Sequence, residues 1–266
     1  MTRILYQSFT DPAEHGAYLD ALAAYLERIA SPGVSFEVRG LSPADTQLGR
    51  LSELRCGIQA VAGAVQAERE GFDAVLVGHF QDPCLYEART AVDIPVVGMG
   101  EAGLHQACML GARIGLVAID PVYVPWHREQ VRRYGLEHRV ADVRAMRVTP
   151  DQCVAAFTDR EAYHTIRDMF TKHAERMVAE SEVDVVMSAG GLFALLSAED
   201  HELSIPGALY VNSTYLAVCQ AEAAVKIAHR HGTPVSRGST FARATEQAVH
   251  ELLDLLPADS PNHEGD

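Results

Sequence analysis

The chain has 266 residues and a formal net charge of −14. With 48% hydrophobic and 22% charged residues it has the make-up of an ordinary globular protein, long enough for one large domain or two small ones. So acidic a surface repels phosphate backbones and anionic lipid, which argues against nucleic acid and membrane as partners, and no run approaches the roughly 18 apolar residues of a membrane helix.

Short β-branched runs alternate with helical patterns, as expected for parallel sheets covered by helices. Arg3–Tyr6 predicts the first strand. Glu14–Arg28, with Tyr18, Leu19, Leu22 and Leu26 at helical spacing, predicts the first helix. Ser35–Arg39 predicts a second strand and the Ala-rich stretch Leu51–Glu70 a long helix. The apolar run Ala74-Val-Leu-Val-Gly78 predicts a central strand buried on both faces. A short helix over Cys84–Ala91, a strand over Ile94–Val97 and a helix over Glu101–Leu110 follow. The second half predicts strands at Arg113–Ile119, Arg144–Val148, Val183–Ser188 and Ala208–Val211. Its predicted helices are Trp126–Tyr134, Arg160–Ser181, Leu192–Ala198 and Thr214–His229. The polar, Pro-containing end from Pro257 to Asp266 predicts a disordered tail.

The pattern restarts halfway. Glu68-Arg-Glu-Gly-Phe-Asp73-Ala-Val-Leu-Val-Gly-His79 is similar to Ala179-Glu-Ser-Glu-Val-Asp184-Val-Val-Met-Ser-Ala-Gly190, with the two aspartates 111 residues apart. The same spacing carries Glu101 onto Asn212, and a spacing one residue shorter carries the opening strand Arg3-Ile-Leu onto Arg113-Ile-Gly-Leu. The expected architecture is α/β, with two similar parallel-sheet lobes related by duplication and a cleft between them. The expected lobes are residues 1–100 with 214–256, and residues 101–213.

Ligands of open parallel sheets bind beyond the carboxyl ends of the strands. The residues predicted there include Gln7, Ser8, His79, Phe80, Glu101, Asp120, Ser188, Gly190, Gly191, Asn212, Ser213 and Thr214. His79, directly after a buried strand, has the side chain best suited to acid–base work near neutral pH. Glu101 opens a helix, where a carboxylate caps free N–H groups or orients a neighbour. The small residues of Ser188-Ala-Gly-Gly191 allow backbone N–H groups to approach an anion. Asn212, Ser213 and Thr214 open the matching helix and suit either capping or substrate contact.

The five cysteines, Cys56, Cys84, Cys108, Cys153 and Cys219, form no CxxC pair and read as reduced thiols of a cytoplasmic protein. Cys84, at the start of a predicted helix near His79, is a weaker nucleophile candidate. His127, His138, His164, His173, His229 and His231 fall on predicted helices or polar loops and are expected at the surface. Gly98-Met-Gly100-Glu-Ala-Gly103 matches GxGxxG but follows the fourth strand of its half rather than the first, so no nucleotide cofactor is expected. A loose His79, Glu101 and His105 set fits no recognised metal motif, so no metal is expected either.

Asp73-Ala-Val-Leu-Val-Gly-His-Phe-Gln-Asp-Pro83, Ile94-Pro-Val-Val-Gly-Met-Gly-Glu-Ala102, Gly111-Ala-Arg-Ile-Gly-Leu-Val117 and the strand Asp184–Ser188 together resemble the aspartate/glutamate/hydantoin racemase superfamily, most closely its hydantoin racemase branch. The resemblance spans nearly the whole chain. It implies a cofactor-independent homo-oligomer whose two half-molecules face each other, each offering one catalytic cysteine. One thiol removes the proton α to a carbonyl or carboxylate and the other returns it on the opposite face. Here the first of those positions falls on His79 and the second on Gly190, which has no side chain to carry a proton. The expected activity is isomerase- or racemase-like proton transfer on a small carboxylate or cyclic amide or imide. His79 is the expected acid/base, Glu101 its orienting partner, and the two second-half segments the expected anion pocket. A one-sided lyase or decarboxylase, a ring-opening hydrolase and a non-catalytic binder of small molecules are the alternatives.

Overall fold

A computed structural model of the chain describes residues 1–44 and 48–256; the expected tail from Pro257 lies outside the described residues. The elements run β1 (Thr2–Gln7), α1 (Pro12–Ile29), β2 (Val34–Arg39), α2 (Arg50–Arg69), β3 (Ala74–Val77), α3 (Leu85–Ala91), β4 (Val96–Gly98), α4 (Met99–Leu110) and β5 (Ile114–Ala118). They continue as α5 (Tyr123–Arg133), β6 (Val140–Ala145), α6 (Pro150–Ala155), α7 (Arg160–Ser181), β7 (Val185–Ser188), α8 (Gly191–Leu196), β8 (Leu209–Val211), α9 (Ser213–His231) and α10 (Glu246–Leu253). The chain divides into two compact units: Met1–Gly98 joined by the described residues from Val218 onward, and Met99–Ala217. No helix of the described residues is long and apolar enough to cross a membrane.

Each unit is built on a four-stranded, fully parallel sheet, ordered β2-β1-β3-β4 in the first and β6-β5-β7-β8 in the second. In the first sheet Gln7 pairs with Val77 and Val77 with Gly98, so three strands end in one row. In the second, Val117 pairs with Ser188 and Met187 with Val211. Every residue of β3 and β7 is buried, which is why their sequences are continuous apolar runs rather than alternating ones. In the first unit α2 lays Ala60, Val61, Ala64, Val65 and Ala67 on this sheet, with Leu5, Val75, Val77 and Leu85 completing the core.

Helix starts follow the sequence chemistry. Asp11 accepts from the backbone N–H of Ala13, Asp159 from those of Glu161 and Ala162, and Thr149 forms a reciprocal capping pair with Gln152. The strand expected at Arg144–Val148 instead occupies Val140–Ala145. Arg147 is left-handed (φ 65°) and breaks the strand, while Met146 and Val148 continue beside β5 as single contacts to the carbonyls of Ala118 and Ile119. The short helices α6 and α10 are additions to the expected set. His127, expected at the surface, is fully buried beside Gln130 and Tyr123; it lies on the inner face of α5, whose period the flanking arginines conceal.

Between α9 and α10 the chain crosses back over α3 without regular structure. Arg237 donates to the carbonyls of Arg89 (2.9 Å) and Val92 (2.6 Å). Arg243 donates to the carbonyls of Ala91 and Thr90, and both arginines pair with Asp93. The Phe241 ring meets Tyr86 edge-on at 5.4 Å. The orphan carbonyls at the end of α3 are thus satisfied by side chains more than 140 residues away in sequence.

Candidate active site

In the first unit the carboxyl ends of β1 and β3 bring together the segments Gln7–Thr10 and Gly78–Cys84. The Gly78 N–H donates to the carbonyl of Gln7 at 2.8 Å, so His79 is the first residue to leave the sheet. Its imidazole lies flat on the ring of Phe9, with centroids 4.6 Å apart and planes 14° from parallel. On its edge, Nε2 stands 3.8 Å from Oε1 of Glu53, in the first turn of α2; the two side chains are 18% and 13% exposed. The imidazole is therefore partly shielded yet reachable. The loop after it is tightly wound: the Asp82 N–H returns to the His79 carbonyl at 3.0 Å, and both Asp82 and Cys84 take left-handed φ of 51° and 54°. Non-glycine residues held in that region are strained, and such strain concentrates at functional loops.

Other residues expected at this site have structural occupations. The amide of Gln7 is buried and donates to the carbonyls of Ser8, Arg39 and Gly40 at 3.1–3.2 Å, tying β1 to the end of β2. Phe80 is 1% exposed. Ser8 is buried and bonds Thr10 Oγ1 at 2.8 Å and the hydroxyl of Tyr18, whose ionisation is pushed well up by burial. Cys84 caps α3 but turns its sulfur toward α2: a Cβ on Gly57 would stand 2.6 Å from it.

In the second unit the expected anion pocket sorts into two groups. The Ser188 hydroxyl lies 3.5 Å from that of Tyr210, which bonds Ser197 at 2.7 Å; burial raises the Tyr210 phenol. Asn212 donates to the carbonyl of Ala194 at 2.6 Å and accepts from the N–H of Tyr215, capping α9. These two serve the scaffold. Ser213 and Thr214 do not: both are 0% exposed, and neither hydroxyl has a hydrogen-bond partner among the described residues. Buried hydroxyls are almost always paired, which sets these two consecutive residues apart from their neighbours. Gly190 precedes α8 at φ 151°, with nothing within 4 Å of where a Cβ would lie, so no neighbouring atom fills the space of the missing side chain.

Glu101 sits half-buried in the first turn of α4, in the second unit, and its carbonyl bonds Nδ1 of His105 at 2.8 Å. The orienting carboxylate expected from Glu101 has a counterpart in the first unit that the sequence reading missed, Glu53. In sequence Glu53 is one more acidic residue in the first turn of a helix, indistinguishable from a cap; only the packing of α2 on the sheet brings it to His79. Phe9 had a usable signal, since it follows Ser8 in the same strand-end loop. Among the described residues no group of His, Cys, Asp and Glu is arranged to hold a metal ion.

A model of the Asp/Glu/Hydantoin racemase family matches residues 16–221. A hydantoin racemase of Pseudomonas sp. (strain NS671) is 30% identical over 142 residues, 53% of this chain, and the chain spans about half (55%) of that relative's length. A hydantoin racemase of Paenarthrobacter aurescens is 24% identical over 241 residues, 89% of this chain and 96% of the relative. Among solved structures, allantoin racemase from Klebsiella pneumoniae superposes with a TM-score of 0.77 at 20% identity, covering 92% of this chain and 95% of that one, which is a likeness of fold. The match over residues 16–221, in a chain with the same fold as the solved racemase, leads to one assignment: the chain belongs to the Asp/Glu/hydantoin racemase family of enzymes.

Proposed function

We propose that this racemase-family enzyme moves a proton at the carbon next to a carbonyl of a small carboxylate or cyclic amide or imide, with His79 as the proton carrier. The observation that carries the reading is the placement of His79: two residues beyond the end of β3, one face on Phe9, one edge toward Glu53, and partly exposed. A neutral imidazole takes the α-proton while the C–H electron pair moves onto the carbonyl as an enolate, and the imidazolium then returns a proton. The names of the relatives, hydantoin and allantoin racemases, favour a cyclic ureide among these substrates.

Gly190, where the family resemblance implies a second proton carrier, has no side chain to carry one. We therefore expect one-sided exchange, in which deuterium enters the α-carbon with configuration retained. Gly190 also favours a second reading, since protonation of an enolate from one side equally completes a decarboxylation.

The test is incubation in D₂O with hydantoins, allantoin, amino acids and 2-substituted malonates, followed by NMR and polarimetry. Deuterium entering the α-carbon, and slowed about a hundredfold or more in His79→Asn, supports the reading. Exchange at the native rate in His79→Asn overturns it. Carbon dioxide release from the malonates, lost in the same variant, selects the second reading.

A further inference from the structure

His79 meets a carboxylate from a helix that contributes no strand-end residue. Glu53 stands in the first turn of the 20-residue α2, its N–H bonded to the Gly49 carbonyl at 2.9 Å and its Oε1 3.8 Å from Nε2 of His79. We propose that Glu53 is the positioning residue of His79: it fixes the ring edge and supplies the counter-charge that lets the imidazole accept a substrate proton. The inference rests on the reading of His79 as the proton carrier.

Three features support it. First, the ring is constrained from two directions. Phe9 covers a face and prevents tilting, while Glu53 selects which edge faces α2, so the remaining rotation about the side chain is removed. Second, the charges balance. When neutral imidazole and a C–H bond become imidazolium and enolate, the new cation arises against an existing carboxylate in a partly buried setting, where attraction is less screened than in water. The amino-end position of Glu53 in α2 favours its negative charge. Third, the other ionisable groups of the loop face elsewhere. Asp82 is fully buried against Gly98, where a Cβ would meet its Oδ1 at 2.5 Å, and Cys84 faces Gly57. Across from the loop, Tyr18 is engaged with Ser8.

The decisive experiment follows the His79 ring by NMR titration in the full chain, with its signal assigned through His79→Asn, in native protein and in Glu53→Gln and Glu53→Asp. Glu53→Gln is expected to lower the His79 midpoint by about one pH unit, the size of effect one opposite charge exerts at this range. Proton exchange should slow about tenfold to a hundredfold through turnover rather than substrate affinity, its pH profile should move with the midpoint, and Glu53→Asp should restore part of both. An unmoved midpoint in Glu53→Gln overturns the pairing, and a moved midpoint with unchanged exchange overturns the positioning role. Loss of the proton-carrier reading looks different: His79→Asn exchanges at the native rate, while a midpoint that still falls in Glu53→Gln upholds the pairing.

Discussion

Asp184 accepts the backbone N–H of Arg113 at 2.8 Å, and the Arg113 guanidinium in turn reaches the carbonyl of Ser181 at 2.8 Å. The first unit repeats the arrangement: Asp73 accepts from the N–H of Arg3 at 2.8 Å, and Arg3 reaches the carbonyl of Glu70 at 3.2 Å. Each latch joins the helix end before one strand to the beginning of the next strand in its sheet. The latch recurs at matching positions of the two sheets, as the sequence repeat predicts.

The latch predicts an acid-sensitive contribution. The N–H groups of Ala112 and Arg113 hold the Asp184 carboxyl below its usual range, so it binds its proton less readily folded than unfolded. Stabilisation is then full above the ordinary carboxylate range of about pH 4 and is lost as pH falls toward the lower folded value. Because Asp184 is exposed, Asp184→Asn should cost only about 1 kcal/mol at pH 7. That difference should vanish by about pH 3. Urea midpoints at both pH values measure it, and an equal cost at each would remove the electrostatic explanation.

Gly57→Ala should reverse the usual helix rule. An alanine inside a helix ordinarily gains up to about 1 kcal/mol over glycine. Here its methyl would lie 2.6 Å from Cys84 Sγ and 3.2 Å from the Pro83 Cβ. We expect a loss of about 1–3 kcal/mol from overpacking, partly relieved in a Cys84→Ala background. A stabilised Gly57→Ala in a thermal melt would contradict the packing described for the His79–Cys84 loop.

Phe9→Leu keeps an apolar side chain but removes the flat ring. A stacked pair contributes about 0.5–1.5 kcal/mol beyond its buried area. If that energy holds His79 in its working orientation, turnover should fall by up to about tenfold. The midpoint of unfolding should move by less than about 1.5 kcal/mol. Steady-state kinetics beside a denaturant curve separates the two, and full turnover in Phe9→Leu would show the stack to be passive.

The thiols should separate cleanly in a labelling experiment. Burial pushes the Cys153 thiol up to about 12, whereas Cys219 is exposed. At pH 8 iodoacetamide should modify Cys219 in the native chain and reach Cys153 only after unfolding. The stability that Cys153 lends through its suppressed ionisation is complete below the free-thiol value near pH 8.5 and is lost as pH rises toward 12.

Most of the fold was legible in the sequence because buried parallel strands are written as plain apolar runs: Ala74–Val77 and Val185–Ser188 could hardly be read otherwise. The repeat was legible because its latch requires an aspartate before each run. The edge strand β6 was misplaced by a few residues, since only Val143 among its residues is buried and its apolar pattern runs on through Met146 and Val148. At the site, position was legible and occupation was not. Gln7 and Asn212 lie where a substrate contact is expected, yet their amides satisfy backbone groups, a choice between two partners that only three-dimensional packing decides. Glu53 needed the same information in the other direction.

The return of the chain over α3 bears on the order in which the protein is made. The second unit is one unbroken stretch, Met99–Ala217, whereas the first is closed only by the described residues from Val218 onward, including the two arginines that satisfy the end of α3. All four strands of both sheets therefore precede, in chain order, the segment that caps α3. Until that segment is made, the carbonyls at the end of α3 lack the two arginines that satisfy them.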